Sequence, residues 1–425
     1  METPISFVAG DKVPKEWQAS FNVSFGSGPG FNDTNSTVRL HVNNIVTEKS
    51  IYNVIGTIYG REEPDRYVII GSHRDAWFFG AADPSSGTAA LMEISRAASR
   101  MLEEGWRPRR TVKFCSWGAE EFGLVGSIEW VEQNEKILQD RAVVYLNTDV
   151  AVGGNYVLVS QNCPLLSTAI FSWAKKVKDP NAHGSKTSLY DIMVERNPSR
   201  SNPGEPYVVP YSYFSDYYPF YVYTGIPSAD FSYFFGPGPE LYPVYHTQED
   251  NFFWMKKIDP DFKFHEAVTK FEGGLLIELA DCLLLPFNVT RYAKTLKTGY
   301  ENLIKMMANV KGISNDYVRE ALYEFGNASE AFDQAKSKLN PDLTSPLRLR
   351  RLNDQMVQVE KVFISPLKLS RSYIMRHVFA SSGTPFPGVV EAYRRVNRAE
   401  VERQISLVIE TIFSAAQIIQ PVTSV

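Results

Sequence analysis

Residues 67–75 read Tyr-Val-Ile-Ile-Gly-Ser-His-Arg-Asp, so a short β-branched strand pattern ends directly in polar residues. Similar strand patterns occur on both sides of it, at residues 52–59, 111–116 and 142–146. Helical patterns separate the later strands, at residues 86–104 and 122–136. This alternation predicts an α/β fold with a mixed central sheet flanked by helices.

The chain changes character along its 425 residues. We expect a loop and edge segment at 1–48, an α/β catalytic domain at 49–286 and a helical domain at 287–425. The last helical pattern is the clearest, with apolar residues spaced by three and four between Val401 and Ile419. Its apolar face is explained either by packing within a helical subdomain or by a dimer interface.

Composition excludes several classes of protein. The net charge of −4 argues against a nucleic-acid binder. The sequence contains no run of about 18 apolar residues, which a membrane span would need. Its first residues lack the features of a signal peptide. Five Asn-x-Ser/Thr sequons favour an extracellular or lumenal location, which a truncated amino end would reconcile with the missing signal. The sequon asparagines are Asn22, Asn32, Asn35, Asn288 and Asn327.

Polar residues follow three successive strands of the predicted sheet. His73 ends the first, Glu120-Glu121 follow the second and Asp149 follows the third, while Asp83 comes ten residues after the histidine. Ligands collect beyond the carboxyl ends of strands in α/β sheets, so these side chains could converge. Clustered acids repel one another unless a cation lies between them. The set predicts a zinc site, although any one of these residues alone would more simply be structural or solvated.

Four ordered blocks carry a family resemblance. They are residues 73–87, 116–127, 145–149 and 242–247, which include His-Arg-Asp-Ala-Trp, Ala-Glu-Glu-Phe-Gly and Tyr-Pro-Val-Tyr-His. Together they closely resemble the glutamate carboxypeptidase II-like zinc metallopeptidases, in the family that also includes the transferrin receptor. The resemblance runs from about Trp17 to the C-terminus. It implies the fold of zinc-dependent exopeptidases followed by a helical dimerisation domain.

The resemblance implies a set of two zinc ions. His246 and Glu121 would bind one ion, His73 and Asp149 would bind the other, and Asp83 would bridge both. The implied activity is a co-catalytic exopeptidase that cleaves small peptides, of the carboxypeptidase or dipeptidase type.

Three further residues take roles from the same resemblance. Glu120 would be the general base acting on the water held between the zinc ions. Tyr245 would hydrogen-bond the tetrahedral oxyanion, and Asp75 would be the carboxylate that orients the His73 imidazole.

The family also implies a partner, a location and a second metal. It implies a homodimer through the C-terminal helices, including residues 352–356 and 386–388, in the glycosylated ectodomain of a type II membrane protein. Glu129 and Glu132 match positions that bind a structural calcium. The other calcium partners belong to an apical domain, which the resemblance leads us to expect before residue 49 and which is missing here.

The substrate pocket departs from the family pattern. Asp230 and Ser232 stand where acid-specific members carry arginines. Arginine is the natural clamp for a substrate carboxylate, which an aspartate would repel. The link at 380–385 also lacks the Lys-Tyr element that grips a terminal glutamate, and the aromatic stretch around Ser215 would favour apolar residues. We therefore predict that the enzyme has lost strict specificity for acidic substrates.

The alternative to an exopeptidase is a non-catalytic, transferrin-receptor-like binding ectodomain or an inactive truncated form.

Overall fold

The computed structural model describes residues 9–13, 26–211, 215–236, 242–307, 316–364 and 386–420. The chain divides into two compact units, Met1–Ser50 and Ile51–Val425. In the described part of the first unit, Lys12 forms an isolated bridge with Gly26, and no strand of two or more residues occurs there. The described residues of this unit therefore match the loop part of the prediction and not the edge strand.

One mixed sheet organises the second unit. The described strands of this unit are β1 (Val54–Ile58), β2 (Glu63–His73), β3 (Arg110–Trp117), β4 (Ala142–Asn147), β5 (Val157–Asn162), β6 (Lys178–His183), β7 (Lys186–Ser188), β8 (Val208–Val209) and β9 (Ser228–Phe234). Seven of them form a sheet in the order β1-β3-β2-β4-β9-β5-β8. The neighbours β3, β2, β4 and β9 run parallel, whereas β1 and β5 pair antiparallel with β3 and β9. The mixed sheet predicted from the sequence is confirmed.

Helices cover this sheet and continue beyond it. They are α1 (Ser85–Glu103), α2 (Val125–Arg141), α3 (Ser167–Lys176), α4 (Leu189–Arg196), α5 (Tyr217–Thr224), α6 (Phe252–Ile258), α7 (Lys263–Asp281), α8 (Val289–Met306), α9 (Asp316–Ser337), α10 (Pro346–Val362), α11 (Pro387–Arg394) and α12 (Arg398–Ile418). α1 pairs with α7 and α2 pairs with α5, and both pairs contact the sheet. None of the helices in the described ranges is long and apolar enough to cross a membrane.

The central strand β4 shows why the sheet is stable. All six of its residues are buried, as expected for a strand covered on both faces, which carries a continuous apolar run instead of an alternating one. Tyr145 stacks on Phe220 of α5 with ring centroids 3.9 Å apart. Asn147 is the polar exception, and it lies at the end of the strand that leads into the candidate site.

The apolar face predicted near the C-terminus is confirmed as one side of α12. Val401, Ile412 and Ala416 are buried there. Helices α9, α10 and α11 of the same chain pack against α12. Of the two explanations for this face, packing within a helical subdomain is the one observed, so a dimer would have to use other surfaces of these helices.

Candidate metal centre

Three neighbouring strands bring the sequence-predicted residues to one edge of the sheet. His73 is the last residue of β2, Asp149 lies two residues after β4, and Glu120 and Glu121 follow β3 in the turn before α2. Because β3, β2 and β4 are parallel neighbours, their carboxyl ends lie side by side. The convergence expected from the sequence is present.

The first group of potential ligands consists of His73, Glu120 and Asp149, with one donor atom of each within 4.8 Å of the others. His73 Nε2 lies 2.9 Å from Asp149 Oδ1 and 3.9 Å from Glu120 Oε2. The His73 side chain is only 1% exposed, so its donor atom is held inside the protein and directed at the carboxylates.

The second group consists of Asp83, Glu121 and His246, again within 4.8 Å. His246 Nε2 lies 3.1 Å from Glu121 Oε2 and 3.2 Å from Asp83 Oδ2. The other oxygen of Asp83, Oδ1, lies 3.2 Å from His73 Nε2 in the first group. Asp83 therefore lies between the two groups with one oxygen directed to each, which is the arrangement a bridging ligand requires.

The carboxylates of the two groups are in electrostatic conflict. Burial, with the nearby Asp149, raises the pKa of Glu120 to about 10, and burial, with Asp83, raises the pKa of Glu121 to about 7. Asp83 Oδ1 and Glu121 Oε1 are buried without a hydrogen-bond partner. Divalent cations would offset the clustered negative charge, and the oxygens without a hydrogen-bond partner could coordinate them. The imidazole and carboxylate donors fit zinc.

Comparison with known proteins gives the same assignment. Residues 53–262 match the model of peptidase family M28, and residues 313–420 match that of the transferrin receptor-like dimerisation domain. Residues 53–262 of the chain are therefore a region of peptidase family M28. The family resemblance and the fold class predicted from the sequence are thereby confirmed.

Curated relatives of this M28 chain carry three kinds of name. It is 38% identical to the aminopeptidase NAALADL1 of Rattus norvegicus, over 97% of this chain and 59% of the relative. It is 38% identical to the probable glutamate carboxypeptidase LAMP1 of Arabidopsis thaliana, over 80% of this chain and 49% of the relative. It is 35% identical to transferrin receptor protein 2 of Homo sapiens, over 92% of this chain and 48% of the relative. The M28 chain thus spans about half to three fifths of the length of these relatives.

Asp75 contacts more partners than the His73 imidazole that the resemblance implies. The main-chain oxygen of Asp75 is the atom close to His73 Nδ1, at 3.0 Å, whereas the carboxylate Oδ1 is 3.8 Å away. The Asp75 carboxylate instead accepts hydrogen bonds from the backbone amides of Glu120 (3.0 Å) and Glu121 (3.2 Å). In this M28 chain, Asp75 therefore orients the imidazole through its backbone and the glutamate turn through its side chain.

Tyr245 lies beside the second group of ligands. Its ring stacks on the His246 imidazole, with centroids 3.7 Å apart and planes at 17°. Burial and the Asp83 carboxylate raise the pKa of the Tyr245 hydroxyl above its ordinary value, which keeps it protonated and able to donate a hydrogen bond. The sequence-predicted tyrosine is therefore next to the metal ligands.

The three residues predicted for the substrate pocket are all buried. Asn147 Nδ2 donates to Ser215 Oγ at 2.7 Å and to Asp230 Oδ1 at 2.8 Å. Ser232 donates its hydroxyl to the Val150 carbonyl. Burial and Asp149 raise the pKa of Asp230 to about 7. These side chains form a polar layer beneath the site instead of an open wall.

The residues predicted for calcium are not brought into a ligand group. Glu129 and Glu132 are exposed on α2. Within the described ranges, the two groups above are the sets of His, Cys, Asp and Glu side chains close enough to hold an ion, and neither glutamate belongs to them. The calcium assignment stays a prediction.

The sequons occupy varied positions in the M28 chain. Asn32, Asn35 and Asn327 are exposed, and Asn22 lies outside the described residues. Asn288 is half-buried, and its side-chain oxygen caps α8 by accepting the Arg291 amide at 2.9 Å. Glycosylation itself stays a prediction at all five.

Sequence reasoning missed two features of this site. Trp77 is 46% exposed, and its ring lies 6.1 Å from the His246 ring and 5.3 Å from the Phe122 ring, so it forms an aromatic edge beside the metal ligands. Asp250 is buried four residues after His246. The position of Trp77 between His73 and Asp83 in the sequence could have indicated that it lies near the site. Asp250 gave no such signal, because it lies in a polar run that resembles a surface turn.

Proposed function

We propose that this chain is a co-catalytic two-zinc exopeptidase that hydrolyses small peptides, as a dipeptidase or carboxypeptidase. The observation that carries the proposal is the pair of ligand groups on either side of Asp83, whose two oxygens are each 3.2 Å from a different histidine. Two-metal hydrolytic sites use such a shared carboxylate to keep the ions about 3.5–4 Å apart.

The ligands divide between the ions by their grouping. His73 and Asp149 would hold one zinc, Glu121 and His246 the other, and Asp83 both. When bound, zinc would polarise the scissile carbonyl and make an attacking water more acidic.

Glu120 is left free to move a proton. It follows Glu121 in the chain, yet its carboxylate faces His73 while that of Glu121 faces His246. Cations at the two groups would lower the raised pKa of Glu120, because opposite charge favours the carboxylate. Glu120 would then accept the proton of the attacking water and pass it to the leaving amine. The Tyr245 hydroxyl would donate a hydrogen bond to the oxyanion.

The polar layer beneath the site supports a substrate that is not anionic. Asp230 occupies a position where an arginine would clamp a carboxylate. Trp77 and Phe122 add an exposed aromatic edge at the same side. The preferred substrates would therefore carry apolar or aromatic side chains.

The helical region would mediate a homodimer. Residues 313–420 match the transferrin receptor-like dimerisation domain, which supports this assembly. Leu343, three residues before α10, and Leu347, in its first turn, are 85% and 73% exposed, outside the apolar face that α12 buries. The sequons support an extracellular or lumenal site of action for a type II membrane parent.

The alternative is a binding ectodomain without activity, and the relative named transferrin receptor protein 2 keeps it in consideration. The ligand set separates the two functions. All five ligand side chains and the base meet in the two groups of this chain, a property that a pure binding domain does not require.

Comparison of wild-type protein with Glu120→Gln tests the proposal. The substitution removes the base and keeps the size of the side chain, so turnover of a dipeptide should fall by about 10²–10⁴-fold while bound zinc stays the same. Glu135→Gln, on the exposed surface of α2, is the matched control and should behave as wild type. Equal turnover in wild type and Glu120→Gln would overturn the assigned role, and a wild type without bound zinc would favour the binding ectodomain.

A further inference from the structure

A buried carboxylate outside the ligand groups contacts the backbone of the loop that carries Asp83. Asp250 is 2% exposed. Its Oδ1 accepts the amide of Ala82 at 2.7 Å, and its Oδ2 accepts the amide of Asp83 at 3.1 Å. The main-chain oxygen of Asp250 accepts the amide of Ala81 at 3.1 Å. Three successive amides of the loop that carries Asp83 are therefore bonded to one residue.

The same carboxylate also closes the loop that carries His246. The Tyr242 hydroxyl donates to Asp250 Oδ2 at 2.6 Å, which links the two ends of the segment 242–250. Between these ends the chain makes successive turns, in which Tyr245 donates its amide to the Tyr242 carbonyl and Thr247 to that of Val244. His246 has a left-handed backbone conformation with φ of 57°, which is uncommon for a residue other than glycine.

The position of Asp250 is itself fixed from the far side. Asn251 caps α6 by accepting the Trp254 amide at 3.1 Å, so the helix begins immediately after the carboxylate. A buried carboxylate with backbone amide donors cannot be removed without leaving those donors unsatisfied. Asp250 is thus a rigid link between two segments that are more than 150 residues apart in the chain.

We propose that Asp250 is a positioning residue for the metal centre, which sets the distance between Asp83 and His246 by accepting backbone amides of the Asp83 loop and the Tyr242 hydroxyl of the His246 loop. The proposal rests on the zinc centre of the proposed function. Asp83 enters from the loop before α1 and His246 from the turns before α6, so neither loop alone determines how their side chains meet. Outer partners that orient metal ligands contribute about 10–100-fold to metal affinity when they are removed one at a time.

The test compares the zinc affinity of Asp250→Asn with that of the wild type, by competition with a chromogenic zinc chelator. An amide keeps the size of the side chain but offers one acceptor oxygen, so its NH₂ group would face one of the donors it should bond. We expect about 10–100-fold weaker zinc binding. Activity should return towards the wild-type value as free zinc is raised, because the catalytic side chains are unchanged.

Asp259→Asn is the matched control. Asp259 is 1% exposed and accepts three backbone amides, from Lys263 (2.7 Å), Phe264 (2.9 Å) and His265 (3.0 Å), but it contacts neither ligand loop. The same substitution there should lower stability and leave zinc affinity unchanged. Tyr242→Phe removes a single donor to Asp250 and should weaken zinc binding by an intermediate amount, which provides a milder variant if Asp250→Asn folds poorly.

Two results would overturn the assignment of Asp250. One is wild-type zinc affinity in both Asp250→Asn and Tyr242→Phe, and the other is an equal loss in Asp259→Asn, which would reveal general destabilisation. Both results leave the proposed function intact as long as the wild type binds zinc and turns over peptides. A wild type that binds no zinc would refute the proposed function and this inference together.

Discussion

Glu120 and Glu121 are adjacent in the chain, yet their carboxylates face different histidines. Glu120 Oε2 lies 3.9 Å from His73 Nε2, whereas Glu121 Oε2 lies 3.1 Å from His246 Nε2. The backbone amides of both residues are bonded to the Asp75 carboxylate, which holds the turn in place. One short turn can thus provide both a metal ligand and a separate proton acceptor.

Removal of single ligands should distinguish the bridge from a terminal ligand. Asp83→Ala removes the one side chain that faces both histidines, so both ions should be retained poorly after dialysis. His246→Ala removes a donor from one group and should lower the zinc content by one ion per chain. Elemental analysis after dialysis against a weak chelator measures both.

His183→Ala is the control for loss of a histidine. Because His183 is exposed on β6, its substitution should leave the zinc content unchanged. Equal zinc loss in the Asp83 and His246 variants would contradict the bridging role of Asp83.

The residues around the site should favour apolar over anionic substrates. A dipeptide with apolar side chains should have a higher kcat/KM than N-acetyl-aspartyl-glutamate, because Asp230 stands where an arginine would clamp a substrate carboxylate and the exposed rings of Trp77 and Phe122 offer apolar contact. Initial rates over a concentration series of each peptide give the comparison. A strong preference for N-acetyl-aspartyl-glutamate would refute this account of specificity.

Trp77→Ala tests whether the aromatic edge contributes to substrate preference independently of charge. Loss of the indole should raise KM for dipeptides with aromatic side chains by about tenfold, the effect of removing roughly 1.4 kcal/mol of apolar contact. The rates for small apolar dipeptides should change less. The same change for every dipeptide would show that Trp77 does not contact the substrate side chain.

The metal-free protein should lose stability as pH rises through the weakly acidic range. Burial raises the pKa of Asp216 and of Asp230 to about 7, above the unfolded value of about 3.9. Between about pH 4 and 7 the folded state then binds more protons than the unfolded state, so these two groups make the free energy of unfolding fall as pH increases. Denaturant unfolding at pH 5, 6 and 7 measures the slope.

Asp230→Asn cannot titrate and should show a shallower slope than the wild type. Asp261→Asn, at an exposed position before α7, is the control and should keep the wild-type slope. Parallel slopes for all three proteins would show that the burial of Asp230 does not govern its ionisation.

Much of the site could be predicted because it depends on strand ends. A β-branched run followed by polar residues locates His73, Glu120 and Asp149 at one edge of a parallel sheet without knowledge of any distance. The helix α12 was likewise evident from its spacing. Its buried partners were not, because an apolar face is compatible with an intrachain or an intermolecular neighbour.

Residues that act through the backbone left no comparable signal. Asp75 was predicted to orient the His73 ring through its carboxylate, whereas the two bonds from that carboxylate to the amides of the turn after β3 were not evident from the sequence. Asp250 belongs to the polar run Thr-Gln-Glu-Asp-Asn at 247–251, which composition alone indicates to be exposed. Its burial depends on the loop before α1, which is distant in sequence and whose position only the folded chain reveals.

The central claim is a pair of metal sites that share Asp83. Stepwise zinc titration of the metal-free wild-type chain, followed by dipeptide turnover and by the count of bound ions, tests it most directly. The account predicts two zinc ions per chain at saturation, with full turnover only when both are bound. Saturation at one ion with full turnover, or no bound zinc, would contradict it.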